Sequence, residues 1–127
     1  MLTIEDVAKS LKRDTEWLTA RAIEKWVRGN IEYKFFYYAR GDEATWADKT
    51  GDCSDMALLM KEMMRINGIK STVVHGWGTW TTDKGKERFK HDWLRATIHD
   101  INGHANVRDY DGVPECEVYE YVGEGYW

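Results

Sequence analysis

The stretch Gly51-Asp52-Cys53-Ser54-Asp55-Met56-Ala57-Leu58-Leu59-Met60-Lys61-Glu62-Met63-Met64 decides how the rest of the chain is read. Its apolar residues Met56, Leu59, Met60, Met63 and Met64 recur at helical spacing, which predicts a buried helix with Cys53 at or just before its first turn. Unpaired backbone N–H groups and the positive end of the helix dipole converge at such a position and favour thiolate over thiol. Gly51 permits a sharp, close approach just before the sulfur. A Gly-x-Cys entering an apolar helix therefore reads as a mounted nucleophile, against the plainer reading of Cys53 as a small buried hydrophobe.

On the N-terminal side, Thr3 caps a short helix with Asp6 at the capping-box position, running to about Lys12. Asp14-Thr15-Glu16-Trp17 opens a second helix whose apolar positions Leu18, Ala22, Ile23, Trp26 and Val27 hold the period to about Ile31. Both are expected to be scaffold. An aromatic run, Tyr33 to Tyr38, leads through an irregular segment to Thr50.

On the C-terminal side, Asn67-Gly68 ends the cysteine helix, with Gly68 as a left-handed cap. Lys70 to Trp80 reads as a strand, followed by a polar loop from Thr82 to Glu87. Asp92 to His99 alternates, with Leu94, Ala96 and Ile98 on one face and His91, Trp93, Arg95, Thr97 and His99 on the other. Asn102-Gly103 predicts a hairpin that returns Ala105 to Asp109 antiparallel to it. After the break at Gly112-Val113-Pro114, Cys116 to Val122 predicts another strand. Helices followed by an antiparallel sheet make an α+β fold, in one domain over residues 1–127.

Composition narrows the function. With 18 basic and 22 acidic residues the net charge is -4, which argues against nucleic acid as a partner, because phosphate binding needs a positive field. No run of apolar residues is long enough for a membrane span. The start, Met1-Leu2-Thr3-Ile4-Glu5-Asp6, carries no basic and apolar leader, so the protein is expected either to stay in the cytoplasm or to be released without a leader, as by lysis; it is also expected to be a monomer. Cys53 and Cys116 read as reduced thiols, since two cysteines make no disulfide framework. Seven tryptophans and seven tyrosines are many for this length, and aromatics at that density line grooves that hold sugars or peptides as well as cores.

A nucleophilic cysteine needs a base, and the base needs a group to hold it. The hairpin brings His91 and Asp109 towards each other, so Cys53, His91 and Asp109 form the expected triad, with Asp111, two residues further and on the same face, as the alternative third member. His75, His99 and His104 read as solvent-facing or packed polar residues. His99 and His104 have finger-like spacing but no Cys-x-x-Cys pair for zinc. The pairs Asp52/Asp55, Asp109/Asp111 and Glu115/Glu117 lack the oxygen-rich loop that calcium needs and read mostly as surface charge. No cofactor is called for.

Gly51-Asp52-Cys53-Ser54-Asp55-Met56-Ala57, Asn67-Gly68-Ile69-Lys70-Ser71-Thr72-Val73-Val74-His75-Gly76, His91-Asp92-Trp93 and Val107-Arg108-Asp109 together resemble the transglutaminase-like core. That resemblance implies a papain-like fold and a Cys-His-Asp triad at Cys53, His91 and Asp109. Within the superfamily, the wording around Cys53 and the Tyr-rich approach to it look most like the catalytic domain of pseudomurein endoisopeptidases. These are wall-lytic enzymes of methanogen viruses that cut an alanine to ε-lysine isopeptide link. The implied activity is hydrolysis of an amide or isopeptide bond in a cell-wall peptide through a thioester. Acyl transfer to an amine and a non-catalytic binding domain are the alternatives. The Cys53 N–H is the expected first oxyanion donor, with Trp46, Tyr33 or Tyr38 as the second. Trp77, Trp80 and Trp93 are expected to flank the groove.

Overall fold

A computed structural model describes residues 2–125 of the chain. The elements run α1 (Ile4–Ser10), α2 (Glu16–Asn30), β1 (Glu32–Tyr33), α3 (Asp42–Asp48), β2 (Thr50–Gly51), α4 (Cys53–Ile66), β3 (Ser71–Thr82), β4 (Gly85–His99), β5 (Ala105–Tyr110) and β6 (Val118–Glu124). The four long strands form an antiparallel sheet in the order β5-β4-β3-β6, and β1 and β2 make a separate two-stranded parallel pair. This is the α+β arrangement the sequence predicts.

The core forms where α4 meets the sheet. Met56, Leu59, Met60, Met63 and Met64 of α4 are at most 1% exposed. They pack with Ile23 and Val27 of α2 and with Val73, Leu94, Ala96 and Ile98 of the sheet. At about 1.5–3 kcal/mol for each large side chain removed from water, this face of α4 is a main source of stability. The helix ends as expected. Gly68 takes φ +74°, and the Ile69 N–H reaches back to the Met64 carbonyl at 2.9 Å.

Two expectations are corrected. The segment after Tyr38 is not irregular throughout, because Asp42–Asp48 forms α3. Gly41 caps that helix without a side-chain hydrogen bond, so the usual capping signal is absent from the sequence. The polar loop expected from Thr82 to Glu87 is a tight hairpin in which Thr82 faces Gly85, so β4 begins six residues before His91 rather than at it. The residues of this strand extension are largely exposed and charged, which hides a strand from an apolar-pattern reading.

Candidate active site

Cys53 is the first residue of α4, and its helix start is locked by a reciprocal cap. Asp52 Oδ1 accepts from the Asp55 N–H at 3.0 Å, and Asp55 Oδ2 accepts from the Asp52 N–H at 3.3 Å. Asp55 is fully buried, and its Oδ1 also accepts from the Arg40 and Gly41 N–H groups at 2.7 and 3.1 Å. Asp52 and Asp55 are therefore structural caps rather than surface charge. The Arg40 guanidinium fixes the same loop from the other side, holding Asp48 through two bonds at 2.9 and 3.0 Å and the Thr50 carbonyl at 2.8 Å. A Cβ added at Gly51 would lie 2.8 Å from Asp55 Cβ and 3.1 Å from Thr45 Cγ2, so only glycine lets β2 run this close beneath the cap.

β1 lies beside β2 with Tyr33 opposite Gly51, which puts an aromatic ring two residues from the nucleophile position. The phenol is raised above its ordinary value by burial and then by the Cys53 charge, placing it within electrostatic reach of the thiol. Of the expected oxyanion donors, Tyr33 is thus beside the site. Trp46 stacks on Trp26 with centroids 5.4 Å apart and belongs to the packing. Tyr38 is 71% exposed.

His91 sits on β4 opposite Gly76, enclosed by aromatic rings. Trp80 meets it edge-on at 4.8 Å, Trp93 stacks at 5.8 Å and Tyr119 lies at 6.0 Å. Trp93 is itself 1% exposed, so it is a wall behind the imidazole rather than part of a groove. Trp77 lies under the Arg88 guanidinium, 4.0 Å from its ring centroid.

His91 is buried, and its Nε2 lies 2.7 Å from Asp111 Oδ2. The same oxygen accepts the Tyr119 hydroxyl at 2.6 Å, and Asp111 Oδ1 accepts the Val113 N–H at 2.9 Å. The backbone of Asp111 is also held, by α2. Its N–H donates to Glu24 Oε2 at 2.8 Å, and its carbonyl accepts from Arg28 Nε at 2.7 Å. This clamp has no signature in the sequence, where α2 reads as scaffold. With Nε2 committed to a carboxylate, the proton is assigned there and the lone pair to Nδ1, which is buried and has no hydrogen-bond partner.

Asp109 stands elsewhere. It pairs across the sheet with Arg95 through bonds at 2.8 and 3.1 Å and is exposed. The register sets Arg95 opposite Asp109, which leaves His91 four residues further along β4, about 13 Å away at strand rise. Asp111, just past the end of β5, is the carboxylate that reaches the imidazole. It is the alternative that the sequence offers, two residues beyond Asp109.

The thiol belongs to the same neighbourhood. Cys53 accepts a hydrogen bond from the backbone N–H of Asp92, the residue after His91, and feels the Asp111 charge. A Cβ at Gly112 would lie 2.7 Å from Met56 Cβ, so the chain after Asp111 rests on the first turn of α4. The thiol is not depressed in the resting state. Burial pushes it up to about 12, against the pull of the Asp92 N–H and with further upward push from the Asp92, Asp52 and Asp111 carboxylates. The helix start alone does not outweigh desolvation and three nearby negative charges. Asp92 is itself held, accepting the Ser54 hydroxyl across the α4–β4 junction.

The remaining histidines are tied to surface partners. His75 Nδ1 lies 3.0 Å from the Gly125 carbonyl, His99 Nδ1 lies 3.1 Å from Glu16 Oε1, and His104 Nδ1 lies 3.5 Å from Asp100 Oδ2. Among the described residues, His99 and His104 do not come together on a metal. No described helix is long and apolar enough to cross a membrane.

The fold has counterparts among known proteins. A candidate cysteine protease from Cytophaga hutchinsonii superposes with a TM-score of 0.76 at 18% identity, over 96% of this chain and 41% of that one. A candidate protease from Parabacteroides distasonis superposes with a TM-score of 0.57 at 17% identity, over 82% of this chain and 22% of that one. The chain thus spans less than half the length of either structure, and the likeness is one of fold. No curated protein sequence matches it. The family model of the transglutaminase-like superfamily matches residues 5–111, and the chain belongs to that superfamily.

Proposed function

We propose that the protein is a cysteine peptidase that hydrolyses an amide or isopeptide bond through a thioester on Cys53, with His91 as base and Asp111 as the group that orients it. The observation that carries this reading is the buried 2.7 Å bond from His91 Nε2 to Asp111, which leaves the opposite ring nitrogen unpartnered, while the thiol at the start of α4 accepts the N–H of Asp92, the residue next to His91. A satisfied structural histidine would use both nitrogens.

In the reaction, the Cys53 thiol gives its proton to His91 Nδ1, and Asp111 stabilises the resulting imidazolium. Because the resting thiol is held neutral, this transfer belongs to the substrate-bound state, where the substrate displaces water and the carbonyl is in place. The sulfur attacks the carbonyl carbon, and the Cys53 N–H at the α4 start receives the oxyanion. Tyr33, which pairs opposite Gly51 and whose phenol feels the Cys53 charge, is the proposed second donor. His91 then protonates the leaving amine, and water attacks the thioester with His91 again taking its proton.

For the bond itself, the motif wording around Cys53 and the exposed aromatics Tyr33, Phe35, Tyr37 and Tyr38 on the approach to it support a wall isopeptide of the alanine to ε-lysine kind as the substrate. The protein would meet that substrate as a monomer after release from the cell. The test is turnover of pseudomurein and of synthetic alanyl-ε-lysine peptides by the wild type and Cys53→Ala. Hydrolysis by the first and none by a folded second is expected. Incorporation of added amine in preference to water would convert the reading to acyl transfer, and equal activity in both proteins would end it.

A further inference from the structure

The mechanism leaves one thiol unused, and that thiol is beside the catalytic pair. A ring nitrogen of His91, a carboxylate oxygen of Asp111 and Cys116 Sγ lie within 4.8 Å of one another. Cys116 is half-buried, and its Sγ lies 3.5 Å from the Val118 carbonyl. It is also built into its place. A Cβ at Gly78 would lie 2.7 Å from Cys116 Sγ, so β3 carries glycine where any side chain would push the sulfur away. The imidazole is 1% exposed and its Nδ1 has no hydrogen-bond partner, so His91 keeps a buried lone pair that no protein donor uses.

We infer that His91, Asp111 and Cys116 form a binding site for a borderline-soft divalent cation, with zinc as the fitting ion, and that occupancy switches the enzyme off. One imidazole, one carboxylate and one thiolate are the donor types zinc takes, at about 2.0–2.3 Å each. Around a tetrahedral ion such donors stand up to about 3.8 Å apart, so side-chain movements of about an ångström close the present arrangement. Three protein ligands leave the fourth position to water. Binding exchanges the Cys116 proton, and the Nε2 proton where that nitrogen is the ligand, for the metal. It withdraws His91 and Asp111 from Cys53 at once. The inhibitory consequence rests on the proposed peptidase mechanism, but the binding does not.

The experiment titrates Co2+ and Zn2+ into the full chain after chelator treatment. Wild type and Cys53→Ala are expected to bind one equivalent of Co2+ with a thiolate-to-metal charge-transfer band, and Cys116→Ala to lose that band. Zinc is expected to inhibit wild-type turnover reversibly, with Cys116→Ala at least tenfold less sensitive in whatever turnover it retains. That retained turnover, or an unchanged circular dichroism spectrum, shows the variant to be folded. A band that survives in Cys116→Ala or vanishes in Cys53→Ala overturns the site, as does the absence of stoichiometric binding by the wild type. A band with this pattern in a protein without turnover leaves the metal site standing and removes the peptidase reading.

Discussion

Asp109 and Arg95 face each other across β5 and β4 and are joined by two hydrogen bonds at 2.8 and 3.1 Å. This pair engages the aspartate that the motif points to with Arg95, while His91 bonds Asp111. Asp109→Asn is therefore expected to leave turnover within about twofold of wild type and to cost at most about 1 kcal/mol, as exposed ion pairs do. Asp111→Asn should instead lower kcat by roughly 10⁴, the size of the loss when a triad carboxylate becomes an amide and the imidazole takes the wrong tautomer. Initial rates of the two variants on one substrate decide between them, and the reverse order would move the triad back to Asp109.

Tyr119 donates to the Asp111 oxygen that also holds His91, so it acts on the imidazole through the carboxylate. Tyr119→Phe keeps the ring against Trp93, at a centroid distance of 5.2 Å, and removes one donor to a buried carboxylate. A bond of that kind is worth about 1.5–3 kcal/mol. The expected result is a fall in kcat of roughly tenfold or more with KM little changed. A variant that loses only thermal stability, at unchanged kcat, would make Tyr119 a packing residue.

The Glu24 and Arg28 bonds to the Asp111 backbone predict that α2 positions the site from behind. Arg28→Ala removes a 2.7 Å bond to a carbonyl and should cost about 0.5–1.5 kcal/mol of stability. It should also lower kcat several-fold, because the carboxylate drifts relative to His91. Arg28→Lys should recover stability better than rate, since one ammonium cannot reproduce the planar Nε contact. Parallel measurement of denaturant midpoint and kcat separates the two effects, and equal rates in all three proteins would refute the positioning role.

What was readable in the sequence and what was not follow from the range of the interactions involved. The α4 periodicity, the Thr3 cap and the Gly68 turn are local, and each appears where its residues predict it. The pairing of His91 with a carboxylate on the returning chain was legible to within two residues, because the hairpin gives the face. The choice between Asp109 and Asp111 depends on where Arg95 falls in the register, and on the chain after β5 folding back onto Met56. The Glu24–Arg28 clamp and the closeness of Cys116 to His91 join residues far apart in the chain, and no spacing rule encodes either. The sign of the Cys53 shift is not legible in the sequence for a different reason. The helix start is visible locally, whereas burial and the charges of Asp92 and Asp111 arise only on folding.

That shift predicts a loss of stability at alkaline pH. An unfolded cysteine titrates at about 8.5, whereas burial holds Cys53 in the folded chain up to about 12. Between these values the unfolded state gives up its proton and the folded state keeps it, so the contribution is fully present below about pH 8.5 and declines as pH rises towards about 12. Cys116 and Tyr119 are also raised by burial and act with the same sign, so the loss is shared. Urea midpoints of the wild type are expected to fall from about pH 7.5 to about pH 10.5, and Cys53→Ala to fall measurably less over the same interval. Iodoacetamide should correspondingly modify Cys53 slowly at neutral pH in the absence of substrate, with the rate rising only above about pH 9. A thiol that alkylates with a midpoint below about 7 would mean that Cys53 and His91 already form an ion pair at rest. The proton transfer assigned to substrate binding would then precede it.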